Sequence, residues 1–250
     1  GEFLPIHLME KIPIIEKEYW QQGSGSVEQA FAWLRNRLIL LLTLRGILRG
    51  ESLFKAELSD FFSVHVKRDL DVHSYFIMVM QLAFGKTNGD NTLLGRCMRH
   101  KQVEQCPVGA MAFYLAFRFH HTQEFERFDP NDWLDNQAWF DIKLLVSTRN
   151  TDNTKMLDHE SYTKQLKRVL KKLHIESKSF LHLGRKLGPL LLEREDLCSD
   201  EIKKLGNWNP SIQEERYSSK LPLVSLRTMA GFSQNCANGL HYNPRTIMVD

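Results

Sequence analysis

Cysteine is scarce in this chain and forms no framework: Cys97, Cys106, Cys198 and Cys236 are scattered through 250 residues without the dense, regular spacing of a disulfide scaffold. No leader pattern of a charged stretch followed by an apolar one opens the sequence. These two absences lead to the expectation of an intracellular, reduced protein. Long apolar runs are missing too. The strongest, Leu38–Leu44, is flanked closely by Arg35, Arg37 and Arg45 and is too short to span a bilayer. An excess of one charge is also lacking: 33 Lys and Arg against 30 Asp and Glu leave a formal net charge of +3, too little by itself to indicate a polyanionic partner. Cys97, His100 and Cys106 hint at zinc, but a fourth ligand at a usual spacing is missing, so neither a metal nor a cofactor is expected.

What is present suits a soluble globular protein. A hydrophobic content of 42% with 25% charged residues allows a sizeable core in one large domain, or a domain with an appendage. Gly23-Ser24-Gly25-Ser26 reads as a flexible linker and the opening Gly-Glu-Phe as a cloning remnant. They set an N-terminal segment, 1–26, with a short helix over 6–20, apart from a domain over 27–250. Phe31, Leu34, Leu38, Leu41, Leu42 and Leu48 follow helical spacing and predict a long buried helix from Val27 to about Leu48 that ends by presenting Arg49. The β-branched and aromatic runs FFSVHV, SYFIMVMQLAF and TLLGRCMRH predict a small antiparallel sheet, with GKTNGDN as a turn that carries Lys86 on a projecting hairpin. Pro107 opens a mostly buried helix containing Met111, Tyr114, Leu115, Arg118 and Phe119. Residues 121–157, with Trp133 and Trp139, show no clear period. Ser199 or Asp200 is the expected N-cap of a helix EIKKLG, and LPLVSLRTMAGF is read as a closing helix. The fold class is therefore mainly α, an α+β domain with a small antiparallel sheet.

The modest net charge is unevenly distributed. From Ser161 to Lys186 the basic residues Lys164, Lys167, Arg168, Lys171, Lys172, Lys178, Arg185 and Lys186 face a single acid, Glu176, whereas 120–160 is rich in Asp and Glu. Such segregation is expected of a face that meets a polyanion. Within it, Ser161–Leu173 reads as an amphipathic helix with Tyr162, Leu166, Val169 and Leu173 on its apolar side. Its lysines and arginine would position a duplex through phosphates without reading bases.

Six residues then stand out in order: Arg49, Lys86, His182 and Arg185 in the run HLGR, Trp208, and Tyr217 nine positions later. Taken singly, each has an ordinary reading as a cap, a hairpin tip, a structural histidine or a core aromatic. Together they meet the needs of phosphodiester transesterification without a metal. Two arginine forks, Arg49 and Arg185, would stabilise the charge that builds on a phosphorane. A tyrosine phenol, ordinarily of pKa about 10, needs cationic neighbours and donors to become a nucleophile, which His182 and Trp208 could supply to Tyr217. Lys86 would hand a proton to the departing 5′-oxygen.

These boxes, LRGILRGESLFKAEL, GKTNGD, HLGRKLG and LGNWNP…RYSS, resemble the active-site boxes of the tyrosine recombinases and integrases. The resemblance places Arg49 at the first arginine, Lys86 at the hairpin lysine, His182 and Arg185 at the H-x-x-R box, Trp208 at the His/Trp position and Tyr217 at the nucleophile. RHKQVEQCPVGAMAFYLAFRF, the HLGR and GNW boxes, and LPLVSLRTMAGF with HYNPR are similar to the fungal branch. That branch contains the central DNA-binding domain of the budding-yeast inner-kinetochore centromere-binding scaffold and the Crypton-type recombinases. It implies a recombinase-like catalytic fold and double-stranded DNA as partner, held by Arg49, Lys86, Lys164, Lys167, Arg168, Lys171, Lys172, Arg185 and Lys186. A homodimer, other kinetochore subunits and a nuclear location also follow from the resemblance, with the C-terminal region as the subunit contact. A scaffold would need phosphate contacts but no cleavage; the alternatives are an active recombinase acting through a 3′-phosphotyrosyl bond at Tyr217, and a transcriptional regulator on the same fold.

Overall fold

Arg35, Asn36 and Arg37 lie buried near the middle of the longest described helix, and what satisfies them organises the domain. A computed structural model describes residues 26–66, 75–82, 93–121, 124, 134–147, 152–172, 174, 182–208 and 221–232, with Lys11, Ile14, Lys17 and Glu18 ahead of them. Helix α1, Val27–Arg45, starts at Ser26, whose hydroxyl accepts from the Gln29 N–H at 3.3 Å. From Leu38 to Leu44 it is buried on every side, as expected of a helix that is apolar all round. Its arginines act as carbonyl staples. Arg35 donates to Val146 O at 2.7 Å, and Arg37 donates to Val103 O and Glu104 O at 2.9 and 2.7 Å. Asn36 bonds the Gln165 side chain. Buried backbone acceptors in neighbouring loops thus gain donors they would otherwise lack.

The expected helix to Leu48 stops early. Arg45 is the last helical residue, Gly46 caps it, and Ile47 turns into the left-handed region at φ 51°. A β-branched residue is strained there. Arg49 is therefore not the end of α1 but the N-cap of a new short helix, α2, Gly50–Lys55. The physical reason is visible in Arg45-Gly46, a basic last turn followed by glycine, which competes with the apolar period that continues through Leu48.

The three strands expected from the sequence form one antiparallel sheet in the order β1 (Phe61–Val66), β2 (Tyr75–Leu82), β3 (Leu93–Met98). Val64 pairs with Ile77 and Val79 with Arg96. Alternation along β2 divides the interior. Met78, Met80 and Leu82 join the larger core with α1, whereas Ile77 and Val79 join a second core. The turn GKTNGDN with Lys86 lies outside the described residues.

Helix α3, Pro107–His121, packs beside α1, with Tyr114 stacked on Phe31 at 5.3 Å between centroids. In the region without clear sequence period, a 3-10 turn over Asn136–Trp139 and a bridge between Glu57 and Lys143 give the chain order. Trp139 meets Phe119 edge-on; Trp133 lies outside the described residues.

The basic helix α4 runs from His159 to Lys172, two residues earlier than expected, because Asp158 accepts from the Glu160 and Ser161 N–H groups at 3.2 and 3.3 Å. Tyr162, Leu166, Val169 and Leu170 are its buried side. Leu170 was not among the expected four, and Leu173 lies outside the described residues.

Helix α5, Leu183–Arg194, crosses α1 at very close range. A Cβ on Gly184 would stand 2.3 Å from Thr43 Oγ1 and 2.7 Å from the Leu44 nitrogen, so any larger residue would push the helices apart. Helix α6, Ser199–Gly206, has Cys198 as its N-cap, correcting the expected Ser199 or Asp200; both lie in the first turn, where Asp200 pairs with Lys203 at 3.3 Å. Helix α7, Leu223–Met229, confirms the closing helix and is buried in the second core apart from Val224. No described helix is long and apolar enough to cross a membrane.

Candidate phosphate-binding site

Arg185 sits in the first turn of α5, where the close crossing at Gly184 presses it against the end of α1. Its Nη1 donates to Ile47 O, the carbonyl of the strained left-handed residue, and its Nη2 donates to Gly206 O at 3.0 Å. The guanidinium lies over the Trp208 ring, 4.9 Å from the centroid. A guanidinium has five N–H donors in a rigid fork. Two of its N–H groups are taken by carbonyls, and the rest of the fork is oriented in advance.

Among the described residues no carboxylate pairs with this guanidinium. Among the described residues the ion pairs join other partners, and neither Arg185 nor Arg49 takes part in one. Burial pushes the Arg185 pKa down to about 10, and the like charge of Arg49 adds to the effect. Arg49 is half-buried at the start of α2. From there α2 reaches the basic helix: Phe54 packs edge-on against Tyr162 at 5.8 Å and against the His159 ring at 4.2 Å.

Three residues of one short segment build the wall behind Arg185. Gly206 ends α6, and Asn207 takes the left-handed conformation at φ 51°, which asparagine tolerates better than most residues. The chain then doubles back so that Trp208 N–H reaches Lys203 O at 3.0 Å and its ring lies flat on Gly206, where a Cβ would come within 2.7 Å of it. The Asn207 side chain donates to Leu94 O of β3 at 2.9 Å.

Of the six residues singled out in the sequence, the structure thus groups Arg49, Arg185 and Trp208. His182 is the exposed N-cap of α5, one turn before Arg185, and its carbonyl accepts from the Lys186 N–H at 2.9 Å. Lys86 and Tyr217 lie outside the described residues. Lys164, Lys167, Arg168, Lys171 and Lys172 are all exposed along α4, with Lys172 paired to Glu18, and Lys186 is exposed on α5. Ile47 and Asn207 escaped sequence reasoning. Asn207 had a signal, an asparagine following a glycine at a helix end; Ile47 had none, because β-branched residues are the least expected at positive φ. Among the described residues no group of His, Cys, Asp and Glu side chains is placed to hold a metal. His100 N–H and Gly109 N–H point at Cys106 Sγ, at 3.4 and 3.2 Å, and burial pushes the Cys97 thiol up to about 12.

Fold and site together define a mainly helical α+β domain with a pair of arginines that no described acid balances. The family model for the centromere DNA-binding protein complex CBF3 subunit, domain 2, matches residues 7–249, and the chain belongs to that family. No curated relative matches it. Among solved structures it is similar to an FLP recombinase–Holliday junction complex, at 15% identity and a TM-score of 0.45 over 88% of this chain and 47% of that one. A Flpe–Holliday junction complex is similar at 14% identity and a TM-score of 0.43, over 80% and 44%. The chain spans about half the length of these solved chains.

Proposed function

We propose that the chain is the double-stranded-DNA-binding domain of a centromere-binding kinetochore scaffold, which grips phosphates and leaves the strand intact. The observation that carries this reading is the pair Arg49 and Arg185, which no described carboxylate neutralises: Arg185 is fixed by the Ile47 and Gly206 carbonyls and pushed down to about 10 by burial and by its like-charged neighbour. A phosphate oxygen entering between them would satisfy both forks and relieve their repulsion, which a neutral ligand would not do. The exposed basic face of α4, Lys164, Lys167, Arg168, Lys171 and Lys172, supplies further backbone contacts that set affinity and its salt dependence. Lys86 and Lys186 complete the proposed DNA contacts.

The centromere DNA-binding complex in the family's description supports duplex DNA as ligand, a multisubunit assembly and a nuclear location. We further read the domain as 27–250, with 1–26 as a separate leading segment, and the scaffold as a homodimer.

A second reading keeps the same arginines for strand cleavage. The order Arg49, Lys86, His182, Arg185, Trp208, Tyr217 favours it, since a phosphate binder has no need of a nucleophile. Incubation with a suicide DNA substrate separates the two. The scaffold reading expects salt-sensitive binding and no covalent adduct; an adduct that disappears in Tyr217→Phe makes the protein a recombinase instead.

A further inference from the structure

Arg185 can serve a phosphate only if its fork points the same way each time DNA arrives, and a side chain with this many rotatable bonds does not hold one direction unaided. The two carbonyls and the ring that hold it come from two places. Ile47 O belongs to the end of α1, fixed against α5 by the Gly184 contact. Gly206 O and the Trp208 ring belong to the tail of α6, and that tail leaves the helix through Asn207 alone.

Asn207 does two separable things. Its left-handed backbone turns Trp208 back over Gly206, and its side-chain amide donates to Leu94 O at 2.9 Å, the second residue of β3. The amide ties the bracket to the sheet, which has its own hydrogen-bonded register. Without it the Gly206–Trp208 segment keeps its helix end and the packing of Trp208 on the second core, but loses its hydrogen bond to β3.

We propose that Asn207 is a positioning residue for phosphate binding: its amide bond to β3 holds the Gly206 carbonyl and the Trp208 ring in the place that orients Arg185. This rests on the reading of Arg185 as a phosphate ligand. Asn207 itself touches no phosphate. Its effect passes wholly through Arg185.

A double-mutant cycle reads this directly. The whole chain is titrated with a fluorescein-labelled random-sequence duplex over a range of salt, as parent, Asn207→Gly, Arg185→Ala and the double variant. Glycine accepts the left-handed backbone without strain and removes the amide. In the parent background Asn207→Gly is expected to weaken binding about tenfold and to lower the salt slope by about 0.9, the loss of one phosphate contact. In the Arg185→Ala background it is expected to change neither. A loss of equal size with and without Arg185 overturns the inference and leaves the phosphate reading standing. Unchanged affinity and slope in Arg185→Ala overturn the phosphate reading and the inference with it. Asn207→Ala, which loses the amide and strains the turn as well, repeats the cycle if the glycine variant folds poorly; a purely structural role would lower its melting temperature without changing the salt slope of the folded protein.

Discussion

Arg118 in α3 and Arg185 in α5 are both held by backbone carbonyls inside the domain, yet their electrical surroundings are opposite. Arg118 donates to Lys143 O at 2.7 Å and Leu144 O at 3.0 Å, and its Nε and Nη2 meet the two Glu124 oxygens at 2.6 Å each. Burial alone would lower its pKa, but the hydrogen bonds to Glu124, together with Tyr114 and the Glu124 charge, outweigh that and leave it above the ordinary value. Asn153 adds a bond to Glu124 at 3.1 Å, so the carboxylate is fixed as well. Arg185 has carbonyls, a ring and a second arginine beside it, and among the described residues no carboxylate. The difference separates an arginine that fastens a loop from the one we propose for a phosphate: the first is neutralised from within, and the second meets no described carboxylate, so that in this proposal its neutralising group comes from the DNA.

The largest expected effect comes from opening the closed arginine. Glu124→Ala strands Arg118 as an uncompensated buried charge and should cost about 3–5 kcal/mol of stability, read as a large drop in melting temperature. A melting curve close to the parent's would mean that Arg118 does not depend on its partner. Closing the open arginine is the complementary change. Arg49→Glu places a carboxylate beside Arg185, so the Arg185 pKa should move up. Duplex binding should then lose about two phosphate contacts, a salt-slope change of about 1.8. Retention of the parent's slope would separate Arg49 and Arg185 from the DNA.

Lys171→Ala on the exposed face of α4 should remove about 0.9 from the slope, equally on unrelated duplexes. A loss confined to one sequence would make Lys171 a reader of bases. Trp208→Phe is expected to have the smallest effect, because it keeps a ring face under Arg185: about 0.5 kcal/mol in affinity with no change of slope. A slope reduced as far as by Lys171→Ala would assign the indole N–H a phosphate of its own.

Much of the fold was legible because each element carries its own period. The strand runs at Phe61, Tyr75 and Leu93, the helix at Pro107 and the closing helix at Leu223 sit where β-branched alternation, an opening proline and helical spacing place them. The errors fell at ends. Helix α1 stops at Arg45 because a glycine cap overrides an apolar spacing that continues to Leu48, and that moves Arg49 from the end of one helix to the start of the next. Of the site, residue types and order were readable, and Arg49, Arg185 and Trp208 do come together. What holds them was not readable: the carbonyls of Ile47 and Gly206 bind Arg185 through backbone atoms, which every residue carries and no side-chain pattern reports.

By itself the sequence determined the class, a mainly helical α+β domain with a small sheet, and a basic face on α4, because periodicity and charge order are local properties of the chain. Only the tertiary structure decided which basic side chains meet a carboxylate among the described residues and which do not. That depends on whether a carboxylate distant in sequence, such as Lys143's partner Glu57, or a near one, such as Glu124, arrives within hydrogen-bond reach, and on close crossings like that of Gly184 with Thr43. Coulomb energy inside a protein varies with distance and solvent access, and both are set only when the chain has packed.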